Sequence, residues 1–401
     1  MTGPGQTTAR RPAREKAPPH TPGDPMIASL LLLATTLAPA LASGSGAQPP
    51  PPPEIDFSGL PEGASQRRIQ ADGKPHPVLA RLLLDQDTIA AGSTARIALH
   101  LVQDEGWHTY WKSPGAVGQP TEIDWGAPEG ITISDHVYPV PQRFEQLSGP
   151  VPEVSFGYDR EVLLISEITV PEDTPLGRHL VEARASWLVC KTLCIRGEAD
   201  LTLPVEIVAA GTEASPSPYA PLFDHYHAQQ PIPHEAVTGL RWRAALSVAE
   251  VPADGRFRAV FLLDAAEGGT LPEVGDALWP TFTPIVATDY SWELLGPPRL
   301  KQLSDKRILV AMDAEAYEPE PLPTDARIGG LIQLEIDGEL VRTEISTPVP
   351  FTTAGATPEP VTAPLLALAA QHLPEGAAGA AGAAGAAGAA GAAGAAGAAG
   401  A

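Results

Sequence analysis

Proline recurs so often in this chain that long helices are excluded as its main element. There are 45 prolines and 38 glycines among 401 residues, and a proline inside a helix removes a backbone donor and clashes with the preceding turn. What lies between them is short and strand-like. Ala95-Arg96-Ile97-Ala98-Leu99-His100-Leu101, 162–165 and 199–203 are such runs, separated by turn residues, the pattern of an antiparallel sandwich. A second series runs through 242–248, 257–263, 308–312 and 331–336, and Asp337-Gly338 after the last is a hairpin signal. The chain therefore reads as all-β, with two antiparallel β-sandwich domains in tandem over 75–210 and 231–353. A linker at 211–230, containing Pro216-Ser217-Pro218, would join them.

The two ends stand apart from this pattern and are expected to be disordered. Arg10, Arg11, Arg14 and Lys16 precede an apolar run from Ile27 to Leu37, and Ala40-Leu41-Ala42 supplies a small-residue cleavage pattern. Residues 1–42 thus read as a signal peptide, with Met1 and Met26 as alternative starts. Export would place both cysteines where disulfides persist. Residues 43–74, with five consecutive prolines at 49–53, read as a Pro-rich spacer. Residues 354–401 read as a low-complexity tail ending in Gly-Ala-Ala repeats, whose side chains are too small to build a core. The formal charge of −22 repels phosphate backbones and argues against nucleic-acid binding. The chain has no asparagine, which excludes a Cys-His-Asn triad.

Two segments carry chemistry. In Trp107-His108-Thr109-Tyr110-Trp111-Lys112-Ser113-Pro114-Gly115, alternation puts Trp107, Thr109 and Trp111 on one face, expected in the core. His108, Tyr110 and Lys112 fall on the other, expected nearer solvent. In Cys190-Lys191-Thr192-Leu193-Cys194 both cysteines fall on the more polar faces of flanking strands. They would face each other across a hairpin mouth, at a separation that suits a disulfide. A bridge closing about five residues is worth only roughly 2 kcal/mol, and Lys191 and Arg196 would favour a thiolate. Spacing alone leaves three readings open: a redox pair, a static bridge and a metal site. The metal reading is thin, because Met312 is the one methionine beyond the leader. His225-Tyr226-His227, with His234 beyond, would put two imidazoles on one strand face, but a solvated linker is the commoner explanation of such a run.

Gly106 through Gly115, Tyr138-Pro139-Val140-Pro141, Phe156-Gly157-Tyr158 and Leu188-Val189-Cys190-Lys191-Thr192-Leu193-Cys194-Ile195 occur in that order. The set resembles the periplasmic N-terminal region of DsbD/ScsB-type protein-disulfide reductases, the thiol:disulfide interchange proteins. The resemblance is strong over 75–210 and one of layout over 220–350. It implies immunoglobulin-like domains, a periplasmic location associated with the inner membrane, and Cys190/Cys194 as the redox pair. Phe156 would be an aromatic cap over that pair, with Tyr158, His108, Tyr110, Lys191 and Trp187 as neighbours. Cys190, followed by Lys191, is the expected attacking thiol. No cofactor beyond the disulfide is implied. The implied partners are periplasmic thioredoxin-fold or disulfide-bearing proteins and a membrane-embedded electron donor. Family members continue into membrane helices and a thioredoxin-like domain that this sequence lacks. The expectation is a truncated or split gene, with 365–370 a remnant of the junction, or a module fed by a separate membrane partner. The functional expectation is a relay of reducing equivalents through Cys190/Cys194, in the setting of cytochrome c biogenesis or copper tolerance. The alternative is a non-enzymatic envelope module with a static hairpin disulfide, linked to copper tolerance.

Overall fold

The run at 95–101 becomes the middle of the strand Thr94–Gln103, and its alternation decides what each face buries. Ala95, Ile97, Leu99 and Leu101 enter the main core of the first sandwich, while Ala98 faces away from it into a smaller apolar cluster. The same division holds for Val78–Leu84 and Glu161–Thr169, which flank this strand in one antiparallel sheet. The computed structural model describes residues 50–146, 153–274, 278–286, 292–317 and 322–374, which belong to one compact unit. The expected signal peptide and the Gly-Ala-Ala repeats lie outside the described residues.

Facing the first sheet is a second one, ordered Ile89–Ala90, Cys194–Val208, Gly177–Cys190, His108–Gly115, Glu153–Asp159 and Gln142–Gln146. Its spine is the hairpin Gly177–Cys190/Cys194–Val208, paired without a break from Gly177↔Ile207 to Cys190↔Cys194. Val181, Ala183, Ala185, Trp187 and Val189 point inward from it to meet Ile97, Leu99 and Leu101. The second half of the chain repeats the plan. Leu240–Leu246, Arg256–Ala265 and Arg307–Ala316 form one sheet, and Phe282–Ile285, Arg327–Ile336 and Glu339–Pro348 form another. Phe257, Phe261, Trp292, Ile308 and Ile332 fill the space between them. The molecule is all-β and sandwich-like, as the proline density and period-two runs require.

Three expectations need correction. The segment 211–230 is not a bare linker: the helix Ala220–His227 lies in it, with Leu222, Phe223 and Tyr226 buried. They cover Leu83, Ala98, Leu163 and Ile165, the outward apolar face of the first sheet. The spacer 43–74 is not all extended chain either. Ile55, Phe57 and Leu60 pack on the same cluster, and Phe57 stacks on Tyr219 at 5.7 Å. Thirdly, 354–374 holds the helix Pro364–His372, whose Leu365 and Ala369 cover Val260, Leu262, Leu309 and Ala311. Arg258 donates to the Leu373 carbonyl at 3.1 Å and pairs with Asp313 at 2.6 Å, which fastens this helix at its C-terminal end. The physical reason is common to all three. A sheet apolar on both faces needs a cover on each, and burying one large apolar side chain is worth about 1.5–3 kcal/mol. His225 and His227 accordingly sit on a helix, two positions apart and on different sides of it.

Candidate redox site

The long hairpin carries its register to its tip, so Cys190 and Cys194 are directly opposed, and they form a disulfide. Lys191, Thr192 and Leu193 make the connection, with the Lys191 amide donating to the Leu193 carbonyl at 3.2 Å. The two sulfurs are unequal in access. Cys190 is 1% exposed, under the neighbouring strand, whereas Cys194 opens to solvent. Lys191 is also exposed, and its ammonium donates to the Glu105 carbonyl at 3.0 Å.

Register extends the site across four neighbouring strands. Asp159 opposes His108, His108 opposes Cys190, and Cys190 opposes Cys194, so all four share one face of the sheet. Tyr110, two residues after His108, belongs to the same face and donates its hydroxyl to Cys194 Sγ at 3.9 Å. Burial is the main cause that pushes the Tyr110 phenol up to about 12, with Glu153 adding to it, so the hydroxyl keeps its proton. Burial also lowers His108, against a smaller opposing pull from Asp159. The imidazole is therefore neutral near pH 7, and its Nε2 has no hydrogen-bond partner among the described residues.

The face expected nearer solvent is in fact covered. His108 is 5% exposed and Tyr110 is 0% exposed. Phe144, from the edge strand Gln142–Gln146, stacks on His108 with centroids 4.4 Å apart. Gly118 lies flat on the Tyr110 ring, where a Cβ would stand 2.3 Å from a ring carbon. Neither residue is singled out by the sequence. The only signal for Phe144 is its place two residues beyond Gln142 in a short alternating run.

The expected neighbours divide by face. His108 and Tyr110 lie with the cysteines, as alternation requires, and Lys191 lies in the connection between the two cysteines. Phe156, Tyr158 and Trp187 point the other way, into the main core. Phe156 is 6% exposed and its ring meets Trp279 of the second sandwich at 5.8 Å. Tyr158 is buried and donates to the Pro139 carbonyl at 2.7 Å. Trp187 stands edge-on to His76 at 5.9 Å. Among the described residues no group of three or more His, Cys, Asp or Glu is placed to hold a metal ion. Chemically, then, the arrangement offers one reachable sulfur, one sheltered sulfur and a protonated phenol at the reachable one. That suits nucleophilic attack on the bridge from solvent.

Comparison with known proteins matches this part of the chain to one family. Residues 80–206 fit the family model described as the N-terminal region of the thiol:disulfide interchange protein DsbD. Among solved structures, the N-terminal periplasmic domain of ScsB from Proteus mirabilis is similar at 17% identity, with a TM-score of 0.45. That match covers 72% of this chain and 100% of that one. A protein of unknown function from Porphyromonas gingivalis W83 is similar at 10% identity over 68% of this chain and 99% of that one, with a TM-score of 0.21. No curated protein matches the chain. The cysteine pair, its disulfide and the aromatic strand His108–Gly115 all lie inside residues 80–206, the segment that is similar to the DsbD N-terminal region.

Proposed function

We propose that this protein relays reducing equivalents through Cys190 and Cys194 to disulfide-bearing partners in the periplasm, and receives them from a separate membrane-embedded donor. The observation that carries this reading is the unequal access of the two sulfurs. A donor thiolate reaches Cys194 Sγ, a donor–Cys194 bond forms, and Cys190 leaves as the thiolate. The donor's second thiolate then attacks its own sulfur in that mixed disulfide and releases Cys194. Two electrons have moved from the donor dithiol to the cysteine pair, and the protons are exchanged with solvent. Run against a partner disulfide, the same steps reverse: Cys194 attacks, Cys190 resolves the mixed disulfide, and the partner is reduced. No bound cofactor is needed, because the two sulfurs carry both electrons. The attacking role thus moves from Cys190, expected from its neighbour Lys191, to Cys194, because a sulfur that is 1% exposed cannot meet a protein partner. Tyr110 stabilises the Cys194 thiolate, since hydrogen bonds to an ionised acceptor are about twice as strong as neutral ones.

Single-cysteine variants test the assignment. With a thioredoxin-fold protein that keeps only its exposed cysteine, held as a glutathione mixed disulfide, Cys190→Ala should release glutathione and accumulate a protein–protein mixed disulfide at Cys194, visible as a mass adduct. Cys194→Ala should form the corresponding adduct at Cys190 at least tenfold more slowly. Equal rates would remove the basis for the proposed order of attack.

A further inference from the structure

The strand that lines the cysteine pair is secured by its own sheet only in part. His108, Thr109 and Tyr110 pair with Asp159, Tyr158 and Gly157, after which the register breaks until Gly115 meets Ser155. On its other side it pairs with Gly177–Cys190 only at Thr109↔Val189 and His108↔Cys190. Residues 111–114 therefore have no ladder partner among the described residues. Trp111 packs in the main core of the first sandwich, but the polar partners of Lys112 and Ser113 come from the second sandwich. The Ser113 hydroxyl donates to the Pro284 carbonyl at 3.1 Å and accepts from the Val286 amide at 3.1 Å. Lys112 Nζ pairs with Glu344 at 2.5 Å. Ile285 and the fully buried Leu331 join the main core of the first sandwich.

We propose that Ser113 is a positioning residue, through which the second sandwich holds the His108–Gly115 strand against the cysteine pair. This rests on the redox reading of that pair. Ser113 is 1% exposed, and its single hydroxyl satisfies the two backbone groups on either side of Ile285. Removing the hydroxyl leaves the buried Pro284 carbonyl and the half-buried Val286 amide without that partner, which is the costly outcome for a buried polar group. Three residues upstream on the same strand, Tyr110 donates to Cys194 Sγ. A thiolate accepts such a bond more strongly than a disulfide sulfur does. Holding the strand in place therefore favours the reduced pair, and releasing it favours the bridge. The second sandwich, which contains no cysteine, acts on the redox chemistry through this brace.

The test is the equilibrium of the full chain with a glutathione redox buffer, read by thiol alkylation, with circular dichroism to confirm the fold. Ser113→Ala should move the equilibrium constant about tenfold toward the disulfide, about 30 mV for a two-electron couple. Ser113→Thr, which keeps the hydroxyl, should return it to within twofold of wild type. Glu344→Gln, at a half-exposed position, should move it in the same direction by about twofold to threefold. Folded Ser113→Ala with the wild-type constant would overturn the proposal. Should Ser113→Ala lose its fold, an unchanged constant in Glu344→Gln would overturn it instead. If glutathione cannot reduce the wild-type bridge, the relay reading fails by itself. The same variants are then compared in dithiothreitol, where a shift still supports the brace and its absence still overturns it.

Discussion

Two hairpin tips of this molecule solve the same folding problem by different means. In the second sandwich Arg327–Ile336 and Glu339–Pro348 pair up to Ile336↔Glu339, and Asp337 and Gly338 close the turn with φ of 53° and 84°. Two residues with positive φ match the twist of the strands, so nothing further is needed to hold them. In the first sandwich the tip is Lys191-Thr192-Leu193, and a disulfide crosses it. That bridge closes so short a loop that it stabilises by only roughly 2 kcal/mol. The unbroken ladder below it, from Gly177↔Ile207 upward, already fixes the register. A hairpin of this protein can thus end without a crosslink, and the one that has a crosslink opens one sulfur to solvent. The difference points to chemistry at the first tip and to plain chain reversal at the second.

The largest expected effect concerns Phe156, which decides how the two sandwiches divide the work. Its ring lies in the core and against Trp279, so Phe156→Ala should cost about 3–5 kcal/mol in thermal or denaturant unfolding. Reaction of the bridge with small thiols should change little by comparison. A nearly unchanged melting temperature with a faster bridge reaction would instead assign Phe156 as the cap over the sulfurs and weaken the role given to Tyr110.

Acid should separate the two sandwiches next. Burial lowers His76, His108 and His136, all in the first sandwich, with His136 held at about 4. Unfolded, they titrate near 6.5. Between these values the unfolded chain binds more protons, so their contribution is complete above about pH 6.5 and is lost as pH falls toward 4. At about 1.4 kcal/mol per pKa unit, His136 alone accounts for roughly 3 kcal/mol. Amide hydrogen exchange should show the first sandwich loosening across that window more than the second. Equal loosening would contradict the expectation. The smallest effect belongs to the plain tip: Gly338→Ala, at φ of 84°, should cost about 1–2 kcal/mol and leave thiol exchange unchanged.

Much of this was legible in the residues. Alternation located the strands, Asp337-Gly338 located a turn, and the spacing of Cys190 and Cys194 set them opposite each other. The coverings were legible only as a need. Ala98, Leu163 and Ile165 are apolar on a face that alternation assigns to solvent, which says that something lies over it. Nothing local says that the cover is Leu222-Phe223, in a short helix after a proline-rich stretch. The site failed to be read in the same way. Period two placed His108 and Tyr110 on the cysteine face, but their burial depends on Phe144 and Gly118, which reach them from other parts of the sheet and its loops. Ser113 stood inside a quoted motif, yet its partners lie 171 and 173 residues away, a distance no periodicity reports.

The reduction potential of the Cys190–Cys194 pair in the full chain tests the central claim most directly. It is obtained by equilibrating the protein in defined glutathione or dithiothreitol buffers and counting alkylated thiols. A pair built for exchange should have a potential above about −300 mV, within reach of thioredoxin-fold donors and acceptors. A value well below about −300 mV is that of a structural bridge. It would mean that the first tip, like the second, only turns the chain.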